Sequence, residues 1–182
     1  MNEQHLTRAS RRLAYFLRHD PGKIGLSLEP GGWVTVDALL GALTAHGISL
    51  TRAELDEVVE TNNKRRFAFD ETGARIRASQ GHSVDVDLGL SAATPPDVLY
   101  HGTVAKFLDA ILAEGLRPMS RHAVHLSATI DTAKSVGARR GKPVILQVDA
   151  AAMTADGHEF QVSANGVWLT PAVPPVYLRR FG

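Results

Sequence analysis

Hydrophobic residues near the start of the chain recur with the spacing of an α-helix. Leu13, Phe16 and Leu17 follow the i, i+3, i+4 pattern that leaves one helical face apolar, and Pro21-Gly22 is typical of a helix end. The pattern therefore predicts a helix that buries this face and places Arg18-His19-Asp20 at its end.

Two more helices are predicted in the first half. One runs from about Val36 to Gly47, because glycine commonly follows a helix end. Thr51 and Glu54 have the spacing of a capping box, which predicts the start of the next helix. The apolar faces of these two helices consist of Leu39, Leu40, Leu43, Leu55, Val58 and Val59.

A hairpin follows these helices. Residues 66–69 and 75–77 are predicted as short strands on either side of the turn sequence Asp70-Glu71-Thr72-Gly73. Helices followed by a hairpin favour a winged-helix module. Such a module usually handles nucleic acid, although many winged helices bind only proteins.

The second half has a different pattern, after the linker-like sequence Ala92-Ala93-Thr94-Pro95-Pro96. One helix is predicted from Lys106 to Glu114, and Asn165-Gly166 predicts a hairpin turn. Short apolar runs predict strands at 98–100, 124–126, 144–148, 167–169 and 176–178. We therefore expect an α+β protein with two domains, residues 1–92 and 93–182.

Composition narrows the class of protein. The 182 residues include no cysteine, which excludes disulfides, thiolate nucleophiles and cysteine-based metal sites. No apolar stretch approaches the roughly 20 residues that span a bilayer, and the N-terminus lacks the pattern of a signal peptide. A cytoplasmic protein without membrane contact is expected, and nothing in the sequence requires more than a monomer.

The charged residues are rich in arginine. Although the net charge is only +1, arginine far outnumbers lysine in the first half. The guanidinium group is a planar, bidentate donor suited to phosphate, so this bias is consistent with an RNA or phosphorylated ligand. A solvated surface encoded by a GC-rich genome explains the composition equally well.

Two short motifs in the second half contain candidate ligand-binding residues. His101-Gly102-Thr103 is predicted between a strand and a helix, where glycine lets a ligand approach the backbone. In His125-Leu126-Ser127, strand alternation places His125 and Ser127 on one face. A turn and a half-exposed strand are the structural alternatives. A metal site of His101, His122 and His125 is disfavoured, because no carboxylate lies nearby in sequence.

Three basic clusters could together bind a phosphate dianion. They are Arg18-His19, Lys64-Arg65-Arg66 and Arg139-Arg140-Gly141-Lys142. A buried phosphate needs several fixed cations, whereas an exposed charge run needs no ligand, and both interpretations stay open for the second cluster. The chain has no nucleophile elbow, P-loop, zinc-protease or Rossmann motif, which weakens the common hydrolase, kinase, protease and dehydrogenase hypotheses.

Taken in order, several segments resemble the RNA 2′-phosphotransferase family, the enzymes of the last step of tRNA splicing and their bacterial KptA-type relatives. The resemblance covers nearly the whole chain and is specific as a set, although each fragment alone is weak. The segments are Leu17-Arg18-His19, Gly32-Trp33-Val34, Asn63-Lys64-Arg65-Arg66-Phe67, Gln80-Gly81-His82-Ser83, Leu99-Tyr100-His101-Gly102-Thr103, Gly115-Leu116-Arg117-Pro118-Met119, Val124-His125-Leu126-Ser127 and Asn165-Gly166-Val167-Trp168-Leu169.

The resemblance implies a fold and a set of site residues. It implies an N-terminal winged-helix-like RNA-binding lobe and a C-terminal, β-rich lobe with the ADP-ribosyltransferase fold, which would bind NAD⁺ as a consumed co-substrate without a metal. The implied catalytic residues are Arg18, His19, Arg66 and Arg139, the first three contacting the RNA phosphate. The implied NAD⁺-binding residues are His101, Gly102, Thr103, His125, Leu126 and Ser127. Arg65 and Arg140 depart from the family pattern, which usually has Gln before the first arginine and often His after the second.

The activity implied is removal of an internal RNA 2′-phosphate. The phosphate would attack the nicotinamide-bearing ribose carbon to give an ADP-ribosylated RNA intermediate. The ribose 2″-hydroxyl would then attack phosphorus and release RNA and ADP-ribose 1″,2″-cyclic phosphate, with Arg139 as the transition-state cation. The alternatives are an ADP-ribosyltransferase that acts on RNA ends or protein, and a winged-helix RNA-binding protein without enzymatic activity.

Overall fold

The computed structural model describes residues 3–62 and 64–182. Asn63, which belongs to one of the segments quoted above, and the first two residues lie outside the described residues. The chain divides into two compact units, residues 1–89 and 90–182, between Gly89 and Leu90. Each unit is a mixed α/β structure with small antiparallel sheets.

The first unit combines three helices with a three-stranded sheet. Its sheet has the order β1-β3-β2, and its core is formed by the apolar faces of the helices packed with Phe67 and Ile76. The elements are α1 (Glu3–Arg18), β1 (Trp33–Thr35), α2 (Val36–Ala45), α3 (Arg52–Glu60), β2 (Phe67–Phe69) and β3 (Arg75–Ala78).

Local sequence signals explain these elements. Leu13, Phe16 and Leu17 are buried on one face of α1, as predicted. The capping box predicted at Thr51 is present, since its hydroxyl accepts from Glu54 N and the Glu54 carboxylate accepts from Thr51 N. The predicted hairpin is also confirmed, with β2 and β3 antiparallel. β1, which pairs with β3, was not predicted.

The second unit contains two three-stranded antiparallel sheets. Their orders are β4-β6-β9 and β5-β8-β7, and a backbone bridge between Tyr100 and Ser127 joins them. The elements are β4 (Val98–Val104), α4 (Ala105–Glu114), β5 (Val124–Leu126), α5 (Ile130–Gly137), β6 (Pro143–Asp149), α6 (Ala150–Ala155), β7 (Gln161–Val162), β8 (Trp168–Thr170) and β9 (Leu178–Arg180).

The helix predicted from Lys106 to Glu114 is confirmed as α4, but α5 and α6 were not predicted. The last strand begins only at Leu178, because Pro175 starts a 3₁₀ turn. Helix α5 could not be predicted from hydrophobic periodicity, because the residues it buries are the small Ala133 and Gly137. They do not form an apolar stripe of large side chains.

No helix among the described residues is both long enough and apolar enough to cross a membrane.

Candidate functional site

Arg18 and His19 lie where α1 ends, as the sequence predicts. Both contact the segment 79–83 that follows β3. The carbonyl of Arg18 accepts a hydrogen bond from the Ser83 amide at 2.8 Å, and His19 Nδ1 is hydrogen-bonded to Ser83 Oγ at 2.8 Å. A Cβ at Gly81, whose φ is +89°, would lie 3.7 Å from Arg18 Nη1, so this backbone passes over the guanidinium.

Arg66, which directly precedes β2, contacts the same segment through its backbone. Its carbonyl accepts a hydrogen bond from the Ser79 amide at 2.8 Å, which continues the β2–β3 ladder by one residue. The residue is half-buried, whereas Arg65 is exposed and adopts a positive φ of 41°. The two neighbouring arginines therefore differ in exposure and in backbone conformation.

The structure thus brings Arg18, His19 and Arg66 together on the segment 79–83. Arg66 makes its contact through the backbone, whereas His19 makes its contact through the side chain. Together the three residues carry two guanidinium groups and an imidazole, which are donors suited to an anion with several oxygens. Ser83 and Gly81 were not among the predicted site residues. Both residues belong to the segment Gln80-Gly81-His82-Ser83, which resembles a family segment. That resemblance did not assign a role to either residue.

His101 lies inside β4, which continues beyond the predicted strand to Val104 and is followed directly by α4, so the motif precedes a helix as predicted. Its Nδ1 is 3.1 Å from the carbonyl oxygen of His125. Since a carbonyl only accepts, Nδ1 carries the proton, and in the neutral ring Nε2 is the acceptor. Burial lowers the pKa of His101, and the positive charges of Arg140 and Arg121 lower it further, which favours this neutral form.

His125 holds its proton on the opposite nitrogen. Arg121 Nη1 is 2.9 Å from His125 Nδ1. A guanidinium only donates, so Nδ1 of His125 is the acceptor and its proton is on Nε2. The predicted alternation of β5 is confirmed, with Val124 and Leu126 buried and His125 half-buried.

Arg121 was missed by the sequence analysis. A turn brings it back towards His125, with its amide bonded to the Pro118 carbonyl at 3.1 Å and Met119 at a positive φ of 57°. Burial lowers its pKa, and so do the charges of Arg139 and Arg140. Its position next to the second polar motif, in Arg121-His122-Ala123-Val124-His125, was the available signal.

Arg139 and Arg140 form an exposed 3₁₀ turn after α5. The charge of Arg140 acts on both His101 and Arg121, whereas Arg139 acts on Arg121. The second unit therefore holds His101, His125 and three arginines in one electropositive group.

Four other predicted binding residues are held by contacts within the protein. A Cβ at Gly102 would lie 1.8 Å from the Ala133 carbonyl oxygen, so this glycine allows α5 to pack closely against β4. Leu126 is 1% exposed and belongs to the core, and Thr103 is 6% exposed. Ser127 holds the two sheets together, since it exchanges both backbone hydrogen bonds with Tyr100 at 2.8 Å.

No group of three or more His, Cys, Asp or Glu side chains that could hold an ion occurs among residues 3–62 and 64–182.

Comparison with known proteins agrees with the motifs. The family model described as RNA 2′-phosphotransferase, Tpt1/KptA family, matches residues 4–172. The chain belongs to this family. A probable RNA 2′-phosphotransferase of Streptomyces coelicolor is 62% identical over 179 residues, which is 98% of this chain and 97% of that protein. Proteins with the same description from Nostoc punctiforme and Herpetosiphon aurantiacus are 53% and 56% identical, over 99% and 98% of both chains respectively.

Both groups of basic residues lie in the part of the chain that the family model matches. Both Arg18-His19 and the Arg121-to-His125 segment lie within the matched residues 4–172 of the RNA 2′-phosphotransferase model. The residues that the structure gathers on the segment 79–83 and around His101 are also within that range.

Proposed function

We propose that the protein is an NAD⁺-dependent RNA 2′-phosphotransferase that removes an internal 2′-phosphate from RNA. The observation that carries this proposal is the convergence of Arg18, His19 and Arg66 on the segment 79–83. A 2′-phosphate dianion offers three acceptor oxygens, which is the ligand that such a donor set would bind.

The architecture supports the division of roles. We assign the first unit to the winged-helix fold, a module used widely for nucleic acid, and its element order α1, β1, α2, α3, β2, β3 supports this assignment. We assign the second unit to the ADP-ribosyltransferase fold, for which its two small antiparallel sheets provide the support.

The second unit fits NAD⁺ chemically. Nε2 of neutral His101 can accept a hydrogen bond from a ribose hydroxyl, and Nε2–H of His125 can donate one. Arg121, Arg139 and Arg140 supply the positive charge that a pyrophosphate requires. When bound, NAD⁺ would supply an electrophilic ribose carbon with nicotinamide as its leaving group.

In this proposal, the residues of the first unit orient the nucleophile. Arg18, His19 and Arg66 hold the 2′-phosphate so that one oxygen forms the bond to the ribose carbon while the bond to nicotinamide breaks. A phosphate is already anionic, so no carboxylate is needed to activate it. In the second step, the ribose 2″-hydroxyl bonds to phosphorus, the RNA 2′-oxygen leaves, and the hydroxyl proton passes to it overall.

A cation must stabilise the charge on the phosphoryl oxygens in that second step. The family resemblance implies Arg139, and Arg121, which is hydrogen-bonded to His125 and is affected by the charge of Arg139, is the alternative. Arg139→Ala is therefore expected to accumulate the ADP-ribosylated RNA intermediate, and Arg121→Ala chiefly to weaken the binding of NAD⁺. Accumulation in Arg121→Ala alone would reverse this assignment.

The experiment is incubation with a short RNA that carries one internal 2′-phosphate, with and without NAD⁺, and analysis of the products by mass. We expect NAD⁺-dependent conversion to the 2′-hydroxyl with release of nicotinamide and ADP-ribose cyclic phosphate. A final product that keeps the ADP-ribosyl group would favour an ADP-ribosyltransferase. Unchanged RNA, together with no NAD⁺-dependent rise in Tm, would favour a non-enzymatic RNA-binding protein.

A further inference from the structure

The first unit contains a groove beside the N-terminal part of α1, away from Arg18 at its C-terminal end. The α1 groove lies between His5, Arg8 and Arg12 on one side and the loop 47–50 on the other, with buried leucines as its floor. Its volume is about 250 Å³, below the roughly 300 Å³ at which pockets for drug-sized ligands begin. A space of this size suits a base or a phosphate of a larger ligand.

The walls of the α1 groove are basic. His5, Arg8 and Arg12 are exposed and recur at i, i+3 and i+7, so they share one face of the helix. Among the described residues that line the groove, none is acidic. The Glu54 carboxylate, on which the charge of His5 acts, is already hydrogen-bonded to the Thr51 amide at 2.8 Å and to the Thr51 hydroxyl at 3.0 Å.

The two arginines are available to a ligand. Within residues 3–62 and 64–182, neither Arg8 nor Arg12 forms an ion pair, unlike Arg52, which lies 2.8 Å from Asp56. The two guanidinium groups lie one helical turn apart, beside the half-buried apolar side chain of Ile48. This arrangement matches a nucleic acid strand, in which phosphates alternate with flat bases.

The position along α1 relates the groove to the phosphate-binding residues. At about 1.5 Å per residue, Arg12 and Arg8 lie about 9 Å and about 15 Å from Arg18 along the helix axis. A few nucleotides of single-stranded RNA span such a distance. Neither arginine belongs to the group on the segment 79–83, so they would contact a different part of the same RNA.

We propose that the α1 groove binds the phosphodiester backbone of RNA a few nucleotides away from the 2′-phosphate. This inference rests on the proposed function for the identity of the ligand. Arg8 and Arg12 each neutralise one phosphate, and the floor beside Ile48 receives a base. The groove sets how strongly long RNA binds and leaves the chemical step unchanged.

The test compares two RNAs of different length, a trinucleotide and a dodecanucleotide, each with the 2′-phosphate at its centre. For the wild type, the longer RNA should have the lower KM. Arg8→Ala combined with Arg12→Ala should raise KM for the dodecanucleotide about tenfold and leave kcat and the trinucleotide KM unchanged. Arg52→Ala is the control, because it removes an exposed cation of the same unit that is outside the groove.

Salt dependence gives a second readout that a structural role would not change. For single strands, each lost phosphate contact reduces the slope of log K against log salt by about 0.7, so the double variant should lose about 1.4. Replacing both arginines by lysine should restore most of the slope, since the charge is retained. Equal effects on both RNAs, an unchanged slope, or binding of an acidic peptide as tight as that of the dodecanucleotide would overturn the inference.

Direct binding separates this inference from the proposed function. Fluorescence anisotropy with the two RNAs needs no turnover. If the wild type bound the dodecanucleotide through Arg8 and Arg12 but never removed the phosphate, the proposed activity would fail and the groove would stand. If it removed the phosphate from both RNAs with equal KM, the groove would fail and the activity would stand.

Discussion

The two candidate sites hold their histidines with different partners. In the first unit, His19 is exposed and bonded to a serine hydroxyl, which can donate or accept. In the second unit, His101 and His125 are bonded to a carbonyl and a guanidinium, which can each play only one role. The first arrangement fixes the position of a ring, whereas the second also fixes which nitrogen carries the proton. The first therefore suits anion binding, and the second suits recognition of neutral hydroxyl groups.

The largest expected effect is loss of the phosphate-binding set. Arg18→Ala or Arg66→Ala should lower kcat/KM for 2′-phosphorylated RNA about 100- to 1000-fold, because each removes a charged donor from the phosphate. The NAD⁺-dependent rise in Tm should persist, since these residues are assigned to the RNA and not to the co-substrate. Arg65→Ala is the matched control, because Arg65 is the exposed neighbour. A similar loss of kcat/KM in Arg65→Ala would contradict the assignment of Arg66, and not Arg65, to the phosphate.

Close packing in the second unit should make Gly102 sensitive. A methyl group there would lie 1.8 Å from a backbone oxygen of α5, so α5 must move away from β4. Gly102→Ala should lower the free energy of unfolding by about 3 kcal/mol, at the upper end of overpacking effects. Urea denaturation measures the change. Gly41→Ala is the control, because a Cβ there meets no atom within 4 Å, and equal losses in both variants would argue against the contact.

The pH dependence of stability should report on His101. Its pKa in the folded protein lies below the usual 6.5 because of burial and the nearby arginines, so the unfolded chain takes up a proton first as the pH falls. Stability is therefore unaffected above about 6.5 and is lost below it, down to the folded pKa. Between pH 7.5 and 5.5, the wild type should lose more Tm than His101→Gln. Parallel Tm profiles for the two proteins would show that this ring does not titrate in that window.

Ser83 should have the smallest effect. Ser83→Ala removes the hydroxyl that positions His19 and should lower kcat severalfold, with a changed pH profile, because the ring is no longer held. Ser83→Thr retains a hydroxyl and should recover most of the activity. A variant in which KM alone rises would indicate that Ser83 contacts the RNA directly and does not position the imidazole.

Sequence patterns predicted the first unit more completely than the second. Helix α1 was predicted because large apolar residues repeat at helical spacing, and the start of α3 because a capping box is a local motif. Helix α5 was missed because it packs through Ala133 and Gly137, whose importance depends on how close β4 lies. Such contacts between distant segments leave no local periodicity.

The candidate site residues also differ in whether local sequence patterns could predict their surroundings. Arg18-His19 could be placed at a helix end from local signals alone. The interpretation of Gly102 as a ligand contact could not be tested from the sequence, because its neighbour is thirty or so positions away in α5. Arg121 lacked a motif of its own, and its role became visible only when the turn at Met119 placed its guanidinium on His125.

The proposed reaction can be tested by following the phosphorus atom itself. An RNA with one ³²P-labelled internal 2′-phosphate would be incubated with NAD⁺ and the labelled products separated. We expect the label to leave the RNA in an ADP-ribose cyclic phosphate, and only when NAD⁺ is present. Release of the label as inorganic phosphate, or its release without NAD⁺, would contradict an NAD⁺-dependent 2′-phosphotransferase.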